Sequence, residues 1–362
     1  WSNVTLDGNA TVGQENELHV RNGLTVNGSL SLGFASQLGH LLFDGEVAQV
    51  VDGAGEIRLD TNPISSSCRI ENQILDLATN TGRALTFAQS LIISMPRLTF
   101  LVSRNQGVIN NYATISAHGS EAGFYVIGPS QTAWTAYFNN YGTIAVVDAN
   151  VEFEKVTWAN YGTLALTDCD FEMNANATVT EIGNLQNISG TWRLSGVLDN
   201  TNSSFTLSPI TGDLRINGGT IIGGIINSTG TTKIISEHGN FNNVTLNAPL
   251  EIPDDFLLNI FGNFTLNSTI RMKGSFLVFE DSTDQLFNGS GTVISETTFL
   301  YDVIKNDTDE GDTTTKTLTI ASGLHFSGND LYISIDAYAP AITRNYASFN
   351  INGSSDRLTF NS

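Results

Sequence analysis

Apolar and small polar residues alternate along this chain in runs of three to five, and Gly, Asn and Asp break the runs. Val4-Thr5-Leu6, Thr11-Val12, Leu18-His19-Val20, Leu24-Thr25-Val26, Leu30-Ser31-Leu32, Leu41-Leu42-Phe43 and Ile57-Arg58-Leu59 follow one another in this way through the first 60 residues. Alternation with a period of two predicts short strands, and the Gly and Asn breaks predict turns. One stretch reads differently. Ser66, Ser67 and Cys68, followed by Ile70, Ile74, Leu75 and Leu77, are spaced for a short amphipathic helix over 66–80 or for a loop capping one side of a coil.

The runs also repeat. Asn3-Val4-Thr5-Leu6 returns as Asn243-Val244-Thr245-Leu246, an offset of 240. Phe43, Gln49, Gly53 and Gly55 return as Phe279, Gln285, Gly289 and Gly291, offset by 236, and Leu85-Thr86 matches Leu318-Thr319, offset by 233. Residues 1–120 thus resemble residues 241–362. A shorter period lies between them. Asn111-Tyr112-Ala113-Thr114-Ile115 is followed by Asn140-Tyr141-Gly142-Thr143-Ile144 and Asn160-Tyr161-Gly162-Thr163-Leu164, at steps of 29 and then 20. Val146, Asp148, Val151 and Phe153 match Leu166, Asp168, Phe171 and Met173 at the same step of 20.

About 20 residues per period, about three short strands in each and no sustained helical stripe predict an all-β fold, a right-handed parallel β-helix (a β-solenoid) running through 1–362 as one domain. Coils of this kind stack like on like. Ile144 falls over Leu164 and Val146 over Leu166 in aliphatic columns, and Asn140 over Asn160 forms an amide ladder at a corner. The step of 29 carries nine extra residues, Gly123, Gly128 and Pro129 in the stretch, which predict an outward loop on one coil.

Composition narrows the function. Only 14% of residues are charged, against ~25% for an average soluble protein. Asp and Glu number 36 against 16 Lys and Arg, a net charge of −20. Such a surface repels phosphate backbones, so nucleic acid is not an expected partner. It keeps the protein soluble and attracts divalent cations. No run of 18 apolar residues offers a membrane span. The two cysteines, Cys68 and Cys169, lie 101 residues apart, ~5 coils and over ~20 Å in such a fold, so they are expected as unpaired buried thiols. A chain beginning at Trp1 reads as a mature or excised portion of something longer.

Candidate chemistry follows from the coil period. Asp148 over Asp168, Asn150 over Asp170 and Glu152 over Glu172 make an acidic column. Like charges ~4.8 Å apart cost roughly 1 kcal/mol per pair in water. Calcium held by oxygens of adjacent coils would reverse that sign, while the plainer reading is a solvated acidic face. Asp307-Thr308-Asp309-Glu310-Gly311-Asp312 is a second calcium candidate through Asp307, Asp309 and Asp312, with neither a closing Glu nor flanking helices. No other cofactor is expected. Paired carboxylates also admit a glycoside hydrolase or polysaccharide lyase, but only Lys155 lies near the column as a base, and no catalytic residue is assigned. Trp134, Tyr137, Phe138 and Tyr141 cluster near the predicted loop, where they either stack on sugars or fill the loop's own core.

Val26-Asn27-Gly28-Ser29-Leu30-Ser31-Leu32-Gly33, the stretch Phe279 to Val293 and the Asn-Tyr-Gly-Thr coils resemble repeat regions of giant bacterial surface proteins, the filamentous-haemagglutinin-like adhesins and autotransporter passengers. The resemblance covers most of the chain in style and carries no catalytic motif. It implies export to the cell surface or medium as an adhesin, stalk or fibre. The repeat points the same way: a coil that stacks on its successor can stack on a neighbouring copy, head to tail. The expectation is a non-catalytic structural protein of an extracellular filament whose partners are copies of itself. The alternative is an adhesin whose lateral face binds glycans or a host protein.

Overall fold

The computed structural model describes residues 1–13, 16–34, 37–59, 68–296, 302–308, 315–328, 331–337, 341–351 and 358–361. The chain is 63% strand and 1% helix, wound as a parallel β-solenoid of about 13 turns. It divides into two compact units, Trp1–Trp192 and Arg193–Ser362.

The repeat of 20 is one coil of the first unit. Tyr137 to Asn140 pair with Thr157 to Asn160, Thr143 to Val147 with Thr163 to Thr167, and Asn150 to Glu154 with Asp170 to Asn174, all parallel. Each coil therefore has three faces, and the long strand Thr143–Glu154 bends through one corner to serve two of them. Its alternating residues face inward, so Ile144, Val146, Val151 and Phe153 are buried, as are Leu164, Leu166, Phe171 and Met173 one coil on. Register cannot slip by one residue, because every inward side chain would turn out to water.

Rings carry the packing through the first unit. Phe87 meets Phe100 at 5.6 Å between centroids, Phe100 meets Phe138 at 5.7 Å, Phe153 stacks on Trp158 at 4.6 Å and Phe171 on Trp192 at 6.2 Å. Each buried ring contributes about 1.5–3 kcal/mol through burial. The corners impose their own residue types. A Cβ at Gly142 or Gly162 would collide with a backbone carbonyl of the coil beneath, which is why Asn-Tyr-Ala gives way to Asn-Tyr-Gly in these two coils. Asp148 and Asp168 hold left-handed backbone, φ 53° and 52°, a conformation Asp tolerates better than most residues.

The nine extra residues of the longer step are spent at two corners. His118 and Ala122 face Val147 and Ala149, which leaves two more residues at that bend. Ile127 and Tyr137 face Glu154 and Thr157, which leaves seven more in the segment that leads out through Gly128 and Pro129. The expected outward loop is therefore there, at 128–135.

Of the helix and the capping loop expected over 66–80, the helix is not formed among the described residues. Residues 66 and 67 lie outside the described residues. Cys68–Asn72 is a strand with Cys68, Ile70 and Asn72 turned inward, and Leu75–Asp76 pairs antiparallel with Thr81–Gly82. Stacking on Leu41 to Phe43 and on Leu98 to Val102 supplies strand partners on both sides, which outweighs a weak helical spacing. The one helix among the described residues is a single turn, Val179–Ile182, started by a capping box between Thr178 and Glu181. Both cysteines are free and buried, as expected. Burial pushes the Cys68 thiol up to about 12.

The second unit repeats the plan. Leu250–Ile252, Thr269–Met272 and Thr292–Ser295 stack on one face, and Leu257–Phe261, Phe276–Glu280 and Asp302–Thr308 on another. The long repeat is a structural one. Thr5 pairs with Thr25 in the first copy and Thr245 with Thr265 in the second, and the Asn that opens each tetrapeptide is left-handed, φ 49° at Asn3 and 55° at Asn243.

Candidate functional site

The three corners of the coils between Gly107 and Trp192 carry the candidate chemistry. At the first, Asn111, Asn140 and Asn160 point inward and form the expected ladder. Asn111 Nδ2 donates to Asn140 Oδ1 and Asn140 Nδ2 to Asn160 Oδ1, both at 2.8 Å. Asn160 Nδ2 ends the ladder on the Ile182 carbonyl at 3.1 Å. The next residue of each coil points out. Tyr112, Tyr141 and Tyr161 stack at 4.6 and 5.1 Å between centroids, nearly parallel, and are 42%, 39% and 60% exposed. Burial, and then the neighbouring phenols, raise the pKa of Tyr141. Because the rings lie face to face, the faces between neighbours are covered, and Tyr161 at the end of the row is the most exposed.

The second corner holds the acidic candidates. Asp148, Asp168 and Asp170 line one concavity of about 290 Å³ together with Ser189 and Thr191. Asn150 lies in register with Asp170 and Glu152 with Glu172 on the adjoining outer face. Burial raises the pKa of Glu152 first, then the charges of Glu154 and Glu172, with Lys155 opposing. Among the described residues, no three His, Cys, Asp or Glu side chains are grouped to hold a metal ion. The left-handed corner accounts for Asp148 and Asp168 on backbone grounds alone. Glu152 and Glu172 are neighbours on one sheet face, not residues facing each other across a cleft. Of the second calcium candidate, Asp307 pairs with Lys305 at 2.8 Å and stands in register between Glu280 and Asp336; Asp309 and Asp312 lie outside the described residues.

The third corner is the one the insertion overhangs. Residues 129–135 lean over Lys155 to Thr157 and Asn174 to Asn176, and the groove between them measures about 310 Å³. Lys155 Nζ lies 2.5 Å from Glu154 Oε1. The four aromatics expected to cluster here separate: Phe138 is core, Tyr137 and Tyr141 are exposed, and Trp134 alone lines the groove, half-buried. The amide-bearing residues Gln131, Asn174 and Asn176 were missed in the sequence, where the signal pointing to them was the count of extra residues.

Fold and corners together define a parallel β-solenoid with ladder-stabilised coils and one elaborated corner. Comparison with known protein families, with curated proteins and with solved structures finds no match for this chain.

Proposed function

We propose that this chain is a non-catalytic structural segment of an extracellular or cell-surface fibre, in which the coils of one copy stack on those of the next. The carrying observation is the tetrapeptide that occurs twice. Val244 and Leu246 are 1% and 0% exposed, because Ile225–Ser228 covers them on one side and Phe264–Leu266 on the other. Val4 and Leu6 hold the same turn and the same register, with Thr5 on Thr25 as Thr245 is on Thr265. A sequence that recurs with one turn and one register builds coils that can stack on like coils of another copy wherever a strand edge is open. Such a head-to-tail contact builds open filaments when it does not close. The carboxylates fit a structural reading: Glu152 and Glu172 lie side by side, and Glu251 is tied between Lys233 and Lys273. Placement outside the cell rests on the likeness of the repeats to bacterial surface proteins.

Electron microscopy and fibre diffraction of the purified chain test this. Filaments with an axial spacing of ~4.8 Å, lost when Leu6 is changed to Asp, are expected. Single particles at every concentration, for the native chain as for the Leu6→Asp variant, would overturn it.

A further inference from the structure

A solenoid that merely stacks has no use for seven extra residues at one corner. Here they are held firmly. The Gly128 N–H donates to the Glu154 carbonyl at 2.8 Å, and a Cβ at Gly128 would collide with the Lys155 carbonyl. The Thr135 N–H donates to Asn105 Oδ1 at 3.0 Å, while the Thr135 carbonyl accepts from the Gln106 N–H at 2.6 Å. Between these anchors the Trp134 N–H closes a turn on the Gln131 carbonyl at 3.1 Å. The overhang is thus anchored at both ends, to Glu154 on one side and to Asn105 and Gln106 on the other, and the groove beneath it is preformed, so a ligand meets little ordering cost.

We propose that this groove binds a short neutral glycan. Its polar lining is made of hydroxyls and amides, from Gln131, Thr132, Thr135, Asn174 and Asn176. These groups both donate and accept, as sugar hydroxyls do. An apolar ligand would leave them unpaired, which is costly. Trp134 adds the apolar surface on which the C–H face of a sugar ring packs, and it is the one large aromatic in the groove. Charge argues against an anionic ligand. Lys155 is the sole charged lining residue and is already paired with Glu154, Glu152 and Glu172 stand on the adjoining face, and the chain carries −20 overall. At about 310 Å³ the groove is at the small end of ligand sites, ~300–1,000 Å³, which suits the end of a glycan rather than an extended chain. The site lies on the side of the coils, so it does not depend on the fibre reading.

Saturation-transfer NMR on the full chain with lactose, maltose, cellobiose and N,N′-diacetylchitobiose, each at millimolar concentration, tests this, with a galacturonate dimer as the anionic comparison. Transfer to the ring protons of at least one neutral disaccharide is expected. Trp134→Ala should weaken it about tenfold, the scale of one lost aromatic contact, and Asn176→Leu should weaken it as well. Tyr161→Ala, at another corner, should leave it unchanged. Circular dichroism melting of each variant keeps loss of binding distinct from loss of fold, and Asn176 is exposed enough to serve if Trp134→Ala melts early. No transfer to any neutral disaccharide, equal transfer in both groove variants, or stronger transfer to the galacturonate dimer would each overturn the proposal.

Discussion

Between residues 136 and 174 the side chains that recur from coil to coil meet their own kind, whereas around Glu251 in the second unit charged side chains meet their opposites. Glu152 stands over Glu172 and Asn140 over Asn160, because residues 140–154 and 160–174 repeat one pattern of residue types one coil apart. In the second unit Lys233 Nζ reaches Glu251 Oε2 at 2.6 Å and Lys273 Nζ reaches Oε1 at 2.7 Å. Arg215 pairs with Glu237 at 2.5 Å, and Arg271 with Glu296. A close repeat places each residue over its copy, so it suits groups that attract themselves. An amide does, since it donates to one neighbour and accepts from the other. A tyrosine ring does, by stacking. A carboxylate does not, and around Glu251 the problem is avoided because the charged positions diverge from coil to coil, while Glu280 and Asp307 still share a register.

The largest expected effect breaks the amide side of this comparison. Asn140→Ala removes the acceptor of Asn111 Nδ2 and the donor to Asn160 Oδ1, in a corner where all three residues are buried. The expected loss is about 2–4 kcal/mol in chemical denaturation, one to two unsatisfied buried groups. A loss under about 1 kcal/mol would mean that the ladder follows from the fold and does little to hold it.

Glu251→Gln comes next. It leaves two lysines beside a neutral amide and should cost about 1 kcal/mol, since the pair is partly exposed. The sharper readout is acid dependence. Hydrogen bonds from Lys233 and then Lys273 lower Glu251 from 4.5 to about 2. The unfolded chain therefore takes up this proton first, and the stabilisation is lost as pH falls from about 4.5 towards 2. Denaturation curves across that range should be flatter for the variant; an unchanged slope would show that Glu251 is not the group responsible.

Glu152→Gln is expected to have the smallest effect, with the opposite sign. Glu152 is raised in the fold by burial and by Glu154 and Glu172, so the folded chain takes up its proton more readily than the unfolded one. Its favourable contribution belongs to low pH and disappears as pH rises through the raised value. At neutral pH the Gln variant should be more stable by about 0.2–1 kcal/mol, the size of a cross-strand pair, and added salt should shrink that gain. A variant less stable than the native chain would show that the carboxylate column is balanced by a partner.

The coil itself was legible in the residues. The period of 20, the inward columns of Ile144 with Leu164 and Val146 with Leu166, the Asn140–Asn160 ladder, the free cysteines and the outward loop at Gly128 and Pro129 all follow from one rule, that a residue in a parallel coil lies over its copy. That rule acts along the stack and needs only spacing. It is silent where neighbours differ. Ile70 and Ile74 have helical spacing, yet strands on both sides made Cys68–Asn72 a strand. The helical turn Val179–Ile182, capped by Thr178 and Glu181, has no counterpart in the coil period.

The site divides in the same way. The sequence by itself determined that Asp148 and Asp168, or Glu152 and Glu172, share a column, because stacking is a matter of count. Only the tertiary structure decided that Asp148 and Asp168 turn a left-handed corner, that Phe138 enters the core while Tyr141 stays outside, and that Trp134 shares a groove with Asn174 and Asn176. Those outcomes depend on the direction of corner side chains and on where an inserted loop finds hydrogen bonds, and both are set by contacts between coils that no single period encodes.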